Sequence, residues 1–332
     1  MGQIDESAGS GTESILYRHI FSERLVGCHY IPLRIRSDRM IPPIASNFVA
    51  GESPEAALAH VEGLNDRGVA GILNLLGEHY EERPPADADA DAYVDLVEAI
   101  AERGVDACVS VKSSQIGLDI GDDVFEENLA RIVEAANAPA ATGSAETGAD
   151  GTGTFVWIDM EDHETTDVTL DAFERHAVET DGNVGVCVQA NLKRTREDLE
   201  RLADLPGKVR LVKGAYDEPA EISYKEKARV DESYRDCLAY MFEAFDDGVA
   251  VGSHDPAMID YARELYADHG TPYEVQMLTG VRESAQFELA AEDDVNVYQY
   301  IPYGSKWFSY FYRRIRERKS NALFALRAIV GN

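Results

Sequence analysis

Val184 to Tyr216, VGVCVQANLKRTREDLERLADLPGKVRLVKGAY, holds two β-rich runs, VGVCVQA and VRLVKG, joined by a short connection with one helical stretch near Arg196 to Leu202. Two strands joined through a helix lie parallel, with a right-handed crossover. The same unit recurs outward in both directions. GVAGILNLL, DACVSVK and FVWIDM precede it from residue 66, and VAVGS, YEVQML and VNVYQYIP follow, making eight runs. Helical spacing fills most of the gaps, at Ala92 to Arg103, Val124 to Ala136, Leu170 to Thr180, Tyr224 to Phe245, Pro256 to Asp268 and Val281 to Ala291. Eight strand–helix repeats imply an α/β chain closed as a (βα)8 TIM-like barrel. An open doubly wound sheet would need a glycine-rich phosphate loop after an early strand. The glycines of 143–153, GSAETGADGTG, instead precede a strand and read as solvated filler on the face opposite a barrel's active site.

The remaining chain divides into an acidic tail over 1–14, expected to be disordered, and an N-terminal helical arm over 15–65. The arm carries apolar spacing at Ala57, Leu58, Val61 and Leu64; the barrel takes 66–332. The net charge is −30, from 61 acidic against 31 basic residues, and the basic set is 23 Arg to 8 Lys. Such a surface repels nucleic-acid phosphates and anionic lipid, which excludes general nucleic-acid binding. Its magnitude and the lysine depletion point to a salt-rich cytosol, where self-repulsion is screened. No apolar run approaches the ~18 residues of a membrane span. The start, MGQIDESAGSGTES, lacks the basic and apolar parts of a secretory signal, so a cytoplasmic location is expected. Cys28, Cys108, Cys187 and Cys237 show no CxxC spacing, and no metal site is expected.

A barrel gathers its chemistry at the C-terminal strand ends. Here those ends carry Lys112; Asp159 with Glu161 and Asp162; Gln189; Lys213, Gly214, Ala215 and Tyr216; Ser253, His254 and Asp255; Gln276; and Tyr300. A lysine directly after ACVSV needs a carboxylate or a ligand beside it, and Asp159 lies one strand away. His254 precedes Asp255-Pro256, a good cap and first turn, whose exposed amides form an anion site suited to a diphosphate. On the last helical stretch Tyr310, Arg313, Arg314 and Glu317 follow i, i+3, i+4, i+7 spacing and share a face. Two guanidiniums on such a face can hold a carboxylate, though a solvated basic face has the same spacing.

In order, VSVKSS, WIDMED, VQANLKR, RLVKGAY, GSHD, YEVQMLTGVR, YIPYG and YFYRRIRE resemble the motifs of monofunctional proline dehydrogenases over roughly 105–320. RLVKGAY with a later Y-x-x-R-R-x-x-E carries most of that specificity. The resemblance implies a barrel with noncovalent FAD across its strand ends, oxidising L-proline to Δ1-pyrroline-5-carboxylate. An electron acceptor is also needed, whether a membrane quinone, another carrier or oxygen; a quinone would be met by a cytoplasmic protein peripheral at the membrane, without a transmembrane segment. Position by position, Arg313 and Arg314 with Lys112 would hold the substrate carboxylate, and Glu317 would fix an arginine. Asp159 would complete the pocket and neutralise Lys112, while Tyr216, Leu278, Tyr300 and Tyr310 would enclose the ring. Arg210 would reach the reactive flavin edge. Met160, Gln189, Lys213, Gly214 and Ala215 would run along the cofactor, with Ser253 and His254 at its phosphate or adenosine half. Asn191, Ser253 and Tyr298 depart from the family pattern. Two other readings compete: a glycoside hydrolase using paired carboxylates such as Asp159 and Glu274, and a barrel that binds an amino acid without catalysis.

Overall fold

The computed structural model describes residues 48–77, 79–138, 153–292 and 295–308. Eight parallel strands close in chain order: β1 (Val69–Leu75), β2 (Ala107–Lys112), β3 (Val156–Asp159), β4 (Val184–Gln189), β5 (Lys208–Val212), β6 (Val249–Gly252), β7 (Tyr273–Leu278) and β8 (Asn296–Tyr303), which returns to β1. Among the described residues, α1 (Pro54–Asn65) precedes β1. The crossovers carry α2 (Arg83–Arg103), α3 (Asp122–Ala136), α4 (Thr166–Glu179), α5 (Thr195–Leu202), α6 (Lys227–Ala244), α7 (Pro256–His269) and α8 (Glu283–Ala290). This is the TIM-like barrel that the repeat implied.

Side chains alternate across each strand. Ile72, Cys108, Phe155, Trp157 and Ala250 fill the barrel interior with Tyr298 and Tyr300 against them, while Leu73, Val109, Val111 and their counterparts face the helices in a larger outer core. Ala57, Leu58, Val61 and Leu64 of α1 are all buried in that outer core, each larger one worth about 1.5 to 3 kcal/mol. Their helix rests on β1 and β8. That seam is where the helix following the last strand of a regular barrel would pack. The fit is tight at Gly71, where a Cβ would lie 2.7 Å from a Val61 methyl.

Some boundaries differ from those the periodicity predicts. α2 starts at Arg83, well before Ala92, because its first buried positions are Ala86 and Ala90, too small to stand out as an apolar stripe among aspartates. α6 starts at Lys227 rather than Tyr224, which leaves Gly214 to Glu226 as a loop whose first residues, Gly214 to Asp217, line the barrel mouth and whose later part hydrogen-bonds to the backbone of Asn191 and Lys193.

Candidate active site

The strand ends open on one cavity of about 660 Å³. It is lined by every described residue to which the resemblance gives a site role: Lys112, Asp159, Met160, Gln189, Arg210, Lys213, Gly214, Ala215, Tyr216, Ser253, His254, Leu278 and Tyr300; Glu161 and Asp162, also expected at the strand ends, do not line it. Tyr310, Arg313, Arg314 and Glu317 lie outside the described residues.

Asp159 is the hub. Lys112 and Asp159 are register partners on β2 and β3, which brings Lys112 Nζ to 3.7 Å from Asp159 Oδ2. Tyr300 OH donates to the same oxygen at 2.7 Å. On Oδ1, Ser110 Oγ donates at 2.7 Å and Arg210 Nη2 forms an ion pair. Burial alone would raise the carboxyl pKa, but Arg210, Lys112 and the two hydroxyl donors hold it below the ordinary value. Burial pulls in the same upward direction on the Tyr300 phenol, reinforced by the Asp159 charge, so it stays protonated and donating. Arg210, itself buried, sits 4.8 Å from the Trp157 ring centre and 5.6 Å from that of Tyr300, while its Nη1 donates to Gln276 Oε1 at 3.0 Å. A guanidinium pinned on this many sides has one orientation.

The other half of the cavity is built from backbone and loops. Gln189 donates to the Glu161 carbonyl at 2.8 Å and accepts from the Ala215 amide at 3.3 Å, tying the ends of β3, β4 and β5 together. Gly214 stands at φ +107°, and a Cβ there would meet the Asn191 carboxamide oxygen at 2.1 Å, so only glycine lets the chain hug this wall. Lys213 is held by Asp231 and by Asp255, whose other oxygen caps α7 through the Ala257 amide. His254 Nε2 accepts from the Leu278 amide at 2.8 Å, which joins the β6 and β7 ends and puts the neutral ring's proton on Nδ1.

Several wall residues were not singled out in the sequence. Asn74, at the end of β1, donates to the Ser110 carbonyl at 2.9 Å and lines the cavity beside Lys112. Cys187, expected as a core residue, borders the cavity as the register partner of Arg210. Strand-end position was the available signal for Asn74; for Cys187 it was the alternation that puts it on the same face of β4 as Gln189. The departure at Tyr298 has no bearing on the cavity, because that ring packs lower in the barrel with Phe155 and Trp157. The paired-carboxylate reading also meets an obstacle. Glu274 is closed off by Lys208 Nζ at 2.6 Å and Gln276 Nε2 at 2.6 Å and does not border the cavity, so Asp159 and Glu274 flank no gap for a sugar.

Residues 57–327 match the sequence profile of the family described as proline dehydrogenase. The chain is 37% identical over 294 residues to a proline dehydrogenase of Deinococcus radiodurans, covering 86% of this chain and 90% of that protein. It is 34% identical over 289 residues to proline dehydrogenase 1 of Bacillus subtilis strain 168, with the same coverages. Among solved structures, proline utilization A from Bdellovibrio bacteriovorus, inactivated by N-propargylglycine, aligns with a TM-score of 0.71 at 23% identity over 82% of this chain. The protein of that name from Corynebacterium freiburgense aligns with a TM-score of 0.68 at 21% identity over 86% of this chain. This chain spans only 32% of either of those longer chains, and the likeness speaks for the barrel alone. It is the profile and the near full-length relatives together that settle the matter: the chain belongs to the proline dehydrogenase family.

Proposed function

We propose that this protein oxidises L-proline to Δ1-pyrroline-5-carboxylate, the first step of proline catabolism, with FAD as hydride acceptor. The observation that carries the reading is the Lys112–Asp159–Arg210 cluster at the base of the strand-end cavity of a chain from this family. The residues present fit a flavin. Arg210 offers a fixed, buried donor, Gln189 locks the neighbouring wall, and Gly214 lines the cavity with backbone. Met160, Lys213 and Ala215 would run along the cofactor, and Ser253 and His254, just before the start of α7, would hold its phosphate or adenosine half. When bound, the flavin supplies hydride acceptance from the carbon next to the amine.

The protein's own residues bind and position. Lys112 already shares Asp159, so one substrate carboxylate needs further cations, and Arg313 and Arg314 would supply them with Glu317 fixing an arginine. Tyr216, Leu278, Tyr300 and Tyr310 would enclose the ring and exclude water. Asp159 acts as a charge anchor: with both oxygens accepting and its pKa lowered, it stays ionised and holds Lys112, Arg210 and Tyr300 in place. The cations beside the substrate amine favour its neutral form, which can push a lone pair as hydride leaves. No described helix is long and apolar enough to cross a membrane. Were the acceptor a quinone, a cytoplasmic protein would meet it at the membrane surface.

Dye reduction by purified, flavin-loaded protein at high salt tests the reading, with D-proline and hydroxyproline as controls. L-proline-dependent reduction supports it. Tight proline binding without dye reduction would favour the non-catalytic barrel, and neither binding nor reduction would remove proline from the account.

A further inference from the structure

Below the cavity, side chains of alternating charge run up the inside of the barrel. Lys208 Nζ donates to Glu274 Oε2 at 2.6 Å, Gln276 Nε2 donates to Glu274 Oε1 at 2.6 Å, and Arg210 Nη1 donates to Gln276 Oε1 at 3.0 Å. Arg210 then pairs with Asp159, and Asp159 with Lys112. Glu274, Gln276, Arg210 and Asp159 are all buried, and Lys208 lies 5.0 Å from the Phe155 ring centre and 5.7 Å from that of Tyr298. Only the upper end of this series touches the cavity; Lys208 and Glu274 do not.

Gln276 is the link whose orientation matters. A carboxamide can present either its oxygen or its NH₂ to a neighbour, and an ionised carboxylate can only accept. Glu274 therefore turns the NH₂ of Gln276 toward itself and leaves the oxygen for Arg210. A flipped amide would set an NH₂ against the guanidinium and an oxygen against the carboxylate, leaving buried groups unsatisfied at both ends. Lys208 Nζ, on the other oxygen of Glu274, supplies the countercharge that a carboxylate at this depth needs.

We propose that Glu274, braced by Lys208, is a positioning residue for proline oxidation, fixing Arg210 through the Gln276 carboxamide. This rests on the function proposed above. Glu274→Gln keeps the shape but no longer dictates which way Gln276 faces. In that variant kcat falls by about ten- to hundredfold, as for a small misplacement at a reacting centre, while KM for L-proline stays within about twofold because the carboxylate is held elsewhere. The visible absorption band of the bound flavin shifts as the guanidinium edge moves. Gln276→Met breaks the same link without touching the Lys208–Glu274 pair and gives the same kcat loss, so it carries the test if Glu274→Gln does not fold. Lys208→Arg recovers most of the activity that Lys208→Met loses. Wild-type kcat and flavin spectrum in both Glu274→Gln and Gln276→Met would overturn the inference alone, as would a kcat loss matched by lost flavin content. A wild-type flavin that L-proline does not reduce would overturn the function beneath it.

Discussion

Both oxygens of Asp159 are occupied, by Ser110 and Arg210 on one side and Tyr300 and Lys112 on the other. Replacing it with Asn strands two cations in or beside the cavity, and unfolding in urea at neutral pH should show a loss of about 3 to 5 kcal/mol, as for removal of one partner of a buried pair. The pH dependence has a definite sign. Because the folded pKa lies below the unfolded one, the carboxylate's contribution is complete above the ordinary Asp value of about 4 and fades as pH falls below it. The difference in stability between wild type and Asp159→Asn should therefore narrow on acidification below that point. A difference that held constant into strong acid would show that the charge pairing is not its source. For the proposed clamp, Arg313→Ala and Arg314→Ala should each cost about 2 to 5 kcal/mol in kcat/KM for L-proline, the range for a truncated buried charge pair. Unchanged kcat/KM in both would remove the clamp.

At the level of elements, α1 fills the seam between β8 and β1 because Gly71 has no side chain to keep Val61 away. Gly71→Ala forces a methyl into that contact and should lower stability by about 1 to 3 kcal/mol without changing the cavity residues. A thermal midpoint equal to wild type would mean that the helix shifts freely. The strands were legible in the sequence because parallel strands buried on both faces read as short apolar runs, and Lys112 and Asp159 stood out as charges at the ends of such runs. α2 was only half legible, since its inner face begins with alanines. Position in the chain could not reveal Ser110, whose hydroxyl matters only because β2 sets it beside Asp159, nor that Glu274 is sealed by Lys208. Those depend on register and on which way each strand turns its side chains.

For the whole molecule, −30 net charge makes self-repulsion a standing cost that salt relieves. Among the described residues most exposed arginines sit in surface ion pairs, such as Arg201 with Asp171 and Glu174, and these contribute little individually. Unfolding midpoints should rise from low to molar KCl; a midpoint that fell would reject adaptation to a salt-rich cytosol. The central claim, that the strand-end cavity around Lys112, Asp159 and Arg210 is where proline meets a flavin, is tested most directly by anaerobic addition of L-proline to the flavin-loaded protein. The visible flavin band should bleach with L-proline in the wild type, and much more slowly in Asp159→Asn at equal flavin content. A flavin that stays oxidised with saturating L-proline, or that bleaches at the same rate in both proteins, would contradict the account.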